Sequence, residues 1–272
     1  TKLSKTLINV DNTINAFLNG INNLGGGSLT LVNEAAGTIE TGNSCVLVID
    51  TGRKTIMNAG LIESDVALLG LTGGETFIES AIENDGVLSA NGKRFTVLKA
   101  VTGSGHVTIG AGALIFRSGF SQDVKFTGTT GVLQLDESQG YGGSISGFSQ
   151  SGGTSLDLRD IGFVSASEAS FSGTSTSGLL TVTDGSHTAR ISLLGDYLGS
   201  TFICSSDHHG GVKIVDSSSS SPVSNPAKLP STHAIVSAIA ALTPNHAAIS
   251  ASHDQVWSSA RPMLLTSPGQ LA

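Results

Sequence analysis

The sequence is poor in charge and in aromatic residues, and both shortages exclude classes of protein. Charged residues make up 13% of the 272 residues and aromatic residues 5%, against a usual charged share of about 25%. The few basic residues form no cluster and the formal net charge is −7, so the sequence predicts no nucleic-acid partner. No apolar run of about 18 residues occurs, which predicts no membrane-spanning helix.

Cysteine is also scarce, with Cys45 and Cys204 the only two in the sequence. A disulfide needs Cα atoms within about 7 Å of each other, and positions so distant in sequence are usually far apart in an extended fold. We therefore expect both to be small buried side chains rather than a disulfide. The sequence begins with Thr1 rather than Met, and we expect it to be a piece of a longer precursor.

Glycine and aliphatic residues are what the sequence has in quantity. The chain holds 35 glycines, and 39% of its residues are hydrophobic. This composition is typical of short β-strands joined by many tight turns, and it excludes a coiled coil and a collagen-like chain. By itself it leaves a β-solenoid and a globular β-sandwich equally open.

An asparagine followed by a glycine and an aliphatic residue recurs along the first part of the chain. The asparagines are 25 and 26 residues apart, and such a period is the signature of a β-solenoid. Asparagine can bond to neighbouring turns, and glycine accepts a positive φ, so we predict a structural ladder at one corner of the coils. The predicted ladder residues are Asn33, Gly37, Asn58, Gly60, Asn84 and Gly86.

The fold predicted from this repeat is all-β: a right-handed parallel β-solenoid with a C-terminal β cap and a Pro/Ser/Ala-rich tail containing a short helix. Residues 45–50 are predicted to be a fully buried strand with a neighbour on each side. A β-sandwich with coincidental Asn-Gly turns is the alternative.

Three segments are predicted along the chain. Residues 1–146 form the solenoid coils, and residues 147–216 form the cap, in which Asp184-Gly185 marks a hairpin. Residues 217–272 form a linker and tail, with a short helix at 232–242 whose apolar positions follow helical spacing.

The coils from Leu29 to Gly92 resemble those of large bacterial secreted β-helix proteins, the autotransporter passenger-like and adhesin-like surface proteins. The part from Ile145 to Ile161, continued at Asp207–Gly211, is similar to the C-terminal repeat module of the same proteins. It also resembles the region after the calcium repeats of toxins exported by type I secretion. The resemblance covers roughly residues 5–216, and it implies a secreted or cell-surface protein that is structural or adhesive.

Candidate chemical sites are few, and we assign no catalytic, cofactor-binding or metal-binding residue. Gly152–Leu158 departs from a calcium-binding toxin repeat at Ser155, and it lacks the second copy that such sites need. Asp207-His208-His209 lacks further ligands in metal-site spacing and is interpreted as a solvated turn. Scattered carboxylates leave open a glycoside hydrolase, which needs two of them about 5–10 Å apart. These carboxylates are Asp157, Asp160, Glu168, Asp184 and Asp196.

The preferred hypothesis is a structural or adhesive bacterial surface protein without enzymatic activity, extracellular or on the cell surface. Its predicted partners are further copies of itself, in an oligomer or filament, or surface glycans of a host or the environment. The alternative is an extracellular lyase or glycoside hydrolase acting on polysaccharides. Two carboxylates and a basic residue converging in a groove would favour the enzyme, and smooth uncharged faces would favour the structural protein.

Overall fold

The computed structural model describes residues 5–16, 20–42, 44–65 and 73–217, which belong to one compact unit. Within these residues the chain is all-β, with 24 strands and a single 3-10 turn at Ser138–Gly140. None of the helices in these ranges is long and apolar enough to span a bilayer. The predicted tail and its helix at 232–242 lie outside the described residues.

The first four coils each contain three short strands. They are β1 (Lys5–Asn9), β2 (Thr13–Ala16), β3 (Ile21–Gly25), β4 (Leu29–Asn33), β5 (Thr38–Thr41), β6 (Val46–Asp50), β7 (Ile56–Asn58), β8 (Leu61–Ser64), β9 (Glu75–Ile78), β10 (Ile82–Asn84), β11 (Val87–Ala90) and β12 (Arg94–Val97). The later coils contain β13 (Val101–Thr102), β14 (His106–Ile109), β15 (Ala113–Phe116), β16 (Asp123–Phe126), β17 (Gly131–Leu135), β18 (Ser144–Ser146) and β19 (Thr154–Leu158).

The first five coils each add one strand to each of three faces of a parallel β-solenoid, and the last two coils add strands to the second and third faces only. The first face has the order β1-β4-β7-β10-β13. The second begins β2-β5-β8-β11-β14-β16-β18, and the third runs through β3-β6-β9-β12-β15-β17-β19. Seven parallel strands stack in each of the last two faces, which amounts to about six turns. The predicted solenoid is therefore confirmed, and the β-sandwich alternative is wrong.

Columns of aliphatic side chains fill the interior because each strand presents alternate residues inward. Strand β6 pairs with β3 on one side and β9 on the other, yet only Leu47 and Ile49 among its aliphatic residues are buried. The prediction of a fully buried strand is thus corrected to an alternating one. One inward column of the second face consists of Ile14, Ile39, Ile62, Leu88, Val107, Val124 and Ile145.

Five further strands, joined to one another in antiparallel pairs, cover the last coil. They are β20 (Ala169–Gly173), β21 (Ser177–Thr183), β22 (Thr188–Leu194), β23 (Phe202–Ser206) and β24 (Val212–Asp216). Strand β22 lies beside β18 and continues through β21 to β20, while β24 lies beside β19 and pairs with β23. The turn at Asp184-Gly185 joins β21 and β22 as a hairpin, as predicted, with φ of 92° at Gly185. Parallel pairing continues past residue 146, since β17 pairs in parallel with β19 up to Leu158 and β18 pairs in parallel with β22.

Both cysteines are buried and neither is in a disulfide within the described residues, in the environment that the sequence indicated. Burial first, and the nearby Glu168 carboxylate second, raise the pKa of the Cys204 thiol to about 12. A thiol with so high a pKa holds little thiolate at neutral pH, so Cys204 is an unreactive core residue.

Candidate functional site

A ladder of amide side chains runs along the corner between the first and second faces. Asn33 donates from Nδ2 to Asn58 Oδ1 at 2.8 Å, and Asn58 donates in the same way to Asn84 Oδ1 at 2.6 Å. All three side chains are buried, at no more than 2% exposure. The structure therefore places these three predicted asparagines in one continuous hydrogen-bonded column.

The ladder also includes two residues that the repeat did not identify. Asn9 donates to Asn33 Oδ1 at 2.8 Å and adds a rung before the predicted ones. At the other end Gly103 occupies the next ladder position, and Gln122 of the following coil reaches past it to accept a 2.8 Å hydrogen bond from Asn84. Gln122 also donates to the Gly103 carbonyl at 3.0 Å. The longer amide thus spans the rung that glycine leaves empty.

The predicted glycines form a second column beside the ladder, for a reason other than the one predicted. Gly37, Gly60 and Gly86 are absent from the described residues with positive φ. A Cβ on Gly60 would lie 2.2 Å from the Gly37 carbonyl oxygen, and one on Gly86 would lie 2.1 Å from that of Gly60. Close stacking of backbone on backbone, rather than a left-handed turn, is what requires glycine here. Gly105 continues the column, because its Cβ would lie 2.3 Å from the Gly86 carbonyl oxygen.

The outer side of the third face carries a groove of about 530 Å³. We call it the third-face groove. Its floor consists of outward-pointing residues that lie side by side on successive coils, namely Phe77, Thr96, Ile115 and Gln134. Ile115 and Thr96 are only 9% and 3% exposed, although both point away from the solenoid interior. The groove therefore shelters a partly apolar floor on an outer face.

Arginines line the two sides of the third-face groove. Arg94 stands at one side, two residues before Thr96 in β12, and Arg117 and Arg159 stand at the other, just past the ends of β15 and β19. Leu98 and His209 complete this second side. The structure thus brings together three guanidinium groups that are widely separated in sequence.

Each arginine has a carboxylate of the same chain beside it. A guanidinium nitrogen of Arg94 lies 4.0 Å from Glu75, and one of Arg117 lies 3.4 Å from Asp136. These two arginine side chains are 47% and 50% exposed, so the ion pairs are weak and open to exchange. The third-face groove consequently presents hydrogen-bond donors and acceptors side by side rather than a uniformly positive surface.

The end of the groove holds a closer charge cluster around Arg159. Arg159 Nη1 lies 3.0 Å from Asp207 Oδ2, and the Asp207 side chain is only 3% exposed. Burial opposes ionisation of Asp207, but hydrogen bonds from the backbone N–H groups of His209 and Gly211, together with Arg159, hold its pKa below the ordinary value. Asp207 is therefore the negative partner in this cluster.

Asp157 follows Gln134 in the floor column and faces Asp207. Burial, and then the negative charge of Asp207, raise the pKa of the Asp157 carboxyl to about 6, although Arg159 acts in the opposite direction. The two carboxyl groups are within hydrogen-bonding reach of each other. When Asp157 and Asp207 share one proton, the repulsion between two adjacent negative carboxylates is avoided.

Replacing Asp157 with asparagine should remove a pH dependence of stability. An aspartate in the unfolded chain has a pKa of about 3.9, so the folded state holds this proton more tightly and loses stability as pH rises through about 6. Urea unfolding should show Asp157→Asn equal to wild type near pH 3 and more stable by roughly 1–2 kcal/mol above pH 7. Asp11→Asn, on the exposed first coil, is the control and should shift neither curve. An equal advantage at every pH would contradict the shared-proton arrangement.

Two motifs considered from the sequence have structural roles. Gly152 has φ of 76° and lies in the turn that leads into β19, while Asp207-His208-His209 forms the turn between β23 and β24. The described residues contain no group of three or more His, Cys, Asp or Glu side chains that could hold a metal ion. Asp157 and Asp207 converge beside Arg159, whereas Asp160 accepts a hydrogen bond from Ser138 and Asp184 caps its own hairpin.

The groove residues were missed because their common face depends on lateral strand pairing. The only trace in the sequence is that Arg117, Asp136 and Arg159 each follow the last residue of a strand in the third face, the first two 19 positions apart. For Asn9 the trace is clearer, because it precedes Asn33 by 24 residues, close to the period of the ladder.

The fold and these surfaces define the chain as a β-solenoid repeat protein. No protein-family model matches it, and neither a curated protein nor a solved structure does.

Proposed function

We propose that this chain is a structural or adhesive protein of the bacterial surface, secreted to the cell exterior, and that it assembles with further copies of itself. The observation that carries the proposal is the difference between the two ends of the coil stack. Antiparallel hairpin strands extend the second and third faces beyond the last coil, whereas the coil strands β1, β2 and β3 are themselves the edge strands of all three faces within the described residues. The resemblance of residues 5–216 to secreted β-helix proteins supports the location.

The edge formed by β1, β2 and β3 has the properties of an assembly surface. A row of unpaired backbone groups is a template for another strand. Ile8, Val10 and Ile21 at this edge are 53%, 57% and 71% exposed. Docking of this edge on the far end or on the tail of the next copy is a heterologous contact, which generates filaments when the rotation does not close.

The second face supports an adhesive role. Its outward residues form a row of mostly short polar side chains, one per coil, and repeated weak contacts of this kind gain strength from multivalency. The row consists of Asn15, Glu40, Glu63, Ser89, Thr108, Lys125 and Ser146.

Sedimentation and electron microscopy of the purified full chain test the proposal. We expect oligomers or filaments that grow with concentration, and we expect the double variant Ile8→Lys, Ile21→Lys to be monomeric, because lysine on an edge strand opposes strand addition. Met57→Lys is the matched control, since Met57 is 48% exposed on β7, in the middle of the first face and away from both ends. Deletion of residues 222–272 separates tail-mediated from end-to-end contacts. A wild-type chain that stays monomeric at high concentration overturns the assembly proposal.

A polysaccharide-acting enzyme is the second candidate, and one observation favours it. Asp157 and Asp207 lie beside Arg159, and of these three residues Arg159 lines the third-face groove. The coupling of the two carboxyl groups speaks against glycoside hydrolysis by this pair, because Asp207 raises the pKa of Asp157 as a hydrogen-bonding neighbour, whereas retaining enzymes separate the two groups by about 5–5.5 Å. Release of new chain ends from acidic polysaccharides, abolished in Asp157→Asn, would establish the enzyme.

A further inference from the structure

We propose that the third-face groove binds a carboxylated polysaccharide that lies along the solenoid axis, across the strands. This inference supplies the ligand for the adhesive role proposed above and rests on that role.

The direction and length of the third-face groove fit a linear polymer. Its floor crosses four successive coils from Phe77 to Gln134, and neighbouring strands lie about 4.8 Å apart. The floor is therefore roughly 14 Å long and runs across the strands. A chain of pyranose rings fits such a floor in extended form, one ring after another.

The arginines fit carboxylates at intervals along that polymer. Arg117 and Arg159 occupy the same position of the third face two coils apart, which places their backbones roughly 10 Å from each other. A guanidinium group binds a carboxylate through two parallel N–H groups. Because Arg94 and Arg117 are about half exposed and their own ion pairs are 4.0 and 3.4 Å long, both can turn toward a ligand at little cost.

The floor fits the uncharged parts of a sugar. Phe77 and Ile115 offer apolar surface to the C–H faces of the rings. The Thr96 side chain is 3% exposed and points into the groove, and its hydroxyl has no hydrogen-bond partner among the described residues. A buried hydroxyl without a partner is costly, and a hydroxyl of a bound sugar would satisfy it.

The carboxylates of the chain select against other polyanions. Glu75, Asp136 and Asp207 stand beside the three arginines, and the chain as a whole carries a formal charge of −7. A nucleic acid or a polyglutamate peptide brings closely spaced charge that these groups repel. A polysaccharide brings fewer charges together with hydroxyl groups, which use both the donors and the acceptors of the groove.

Calorimetric titration of the full chain with oligogalacturonate tests the inference. We expect binding that weakens with added salt and that fully methyl-esterified oligogalacturonate, which has the same rings without the charge, does not reproduce. Arg94→Gln and Arg117→Gln should each weaken binding about tenfold, equivalent to about 1.4 kcal/mol. Arg190→Gln is the matched control, because Arg190 is an exposed arginine on β22, outside the groove. Arg159 is left unchanged, since its loss would strand the buried Asp207.

The inference is overturned by absence of binding, by equal binding of the methyl ester, or by affinities unchanged in both groove variants. Tighter binding of polyglutamate or double-stranded DNA also overturns it and identifies the other class of partner. The assembly assay on the Arg94→Gln, Arg117→Gln double variant keeps the two proposals apart. A wild-type chain that assembles but binds no polysaccharide contradicts this inference alone. A wild-type chain that binds polysaccharide but stays monomeric contradicts the assembly proposal alone.

Discussion

Replacing Asn58 with alanine is expected to lower the free energy of unfolding by about 2–4 kcal/mol. Asn58 is the central rung of the ladder: it accepts from Asn33 at 2.8 Å and donates to Asn84 at 2.6 Å. Asn58→Ala leaves the Asn84 oxygen without its donor in a position where Asn84 is fully buried. The Asn33 amide still reaches the Gly37 carbonyl at 3.1 Å, which limits the loss on that side.

Urea unfolding followed by far-UV circular dichroism measures this loss, with Asn23→Ala as the control. Asn23 is an exposed asparagine within β3, and its replacement should change stability by no more than about 0.5 kcal/mol. The stability of a solenoid depends on the interfaces between neighbouring coils. The unfolding transition of Asn58→Ala should therefore also broaden if the coils on the two sides of the altered rung unfold separately.

An Asn58→Asp variant distinguishes hydrogen bonding from simple filling of space. Aspartate has nearly the shape of asparagine, but when ionised it cannot donate to Asn84 and places a charge in a buried position. Its protonated form keeps one donor, so the variant should be most stable at low pH and lose stability as pH rises. Equal stability of Asn58→Asp and wild type at neutral pH would contradict the hydrogen-bonded ladder.

The sequence was sufficient to predict the ladder because each rung is a local feature that recurs at a regular spacing. An asparagine, a short turn and a glycine identify the corner of one coil without knowledge of any other coil. The regular rungs end where the sequence no longer repeats the residue type: Gly103 has no side chain, and Gln122 restores the contact from a coil further along. Because Gln122 takes over this contact from a different position in its coil, no regular spacing in the sequence predicts it.

The third-face groove could not be predicted from the sequence, for a different physical reason. Its floor residues become neighbours only through the register of parallel strands, and the distance along the chain between adjacent strands varies. From Leu47 to its partner Thr76 the step is much longer than from Thr76 to Phe95. Without the register, Arg117 and Arg159 are isolated charges in a charge-poor chain. With it, they lie on one side of a single groove.

The φ angles of the corner glycines also could not be predicted from the sequence. Glycine has two uses, a positive φ and room for a close approach, and the residue type alone does not separate them. Gly52 and Gly103 illustrate the first use, with φ of 69° and 95°. Gly60 and Gly86 illustrate the second, since only their missing Cβ atoms allow the coils to stack at the ladder corner.

Replacing Gly86 with alanine is expected to destabilise the fold by about 3 kcal/mol or more. The new Cβ would lie 2.1 Å from the Gly60 carbonyl oxygen and 2.6 Å from the Ala59 carbonyl carbon, and both are backbone atoms of the preceding coil. Backbone cannot rotate aside as a side chain does, so relief requires that the two coils separate at the corner. That separation would stretch the hydrogen bond from the Gly86 N–H to the Asn58 carbonyl, now 3.0 Å.

The matched control is Gly27→Ala, where the added methyl group meets no atom within 4 Å and φ lies outside the positive range. This control should be neutral or slightly stabilising, because alanine reduces the freedom of the unfolded chain. Melting temperatures of both variants, with hydrogen exchange at the Asn58 and Asn84 side-chain amides, measure the difference. Gly86→Ala should speed exchange at both amides, since opening of the corner exposes the ladder. A Gly86→Ala protein with wild-type stability and protected amides would show that glycine is not required for coil stacking at this corner.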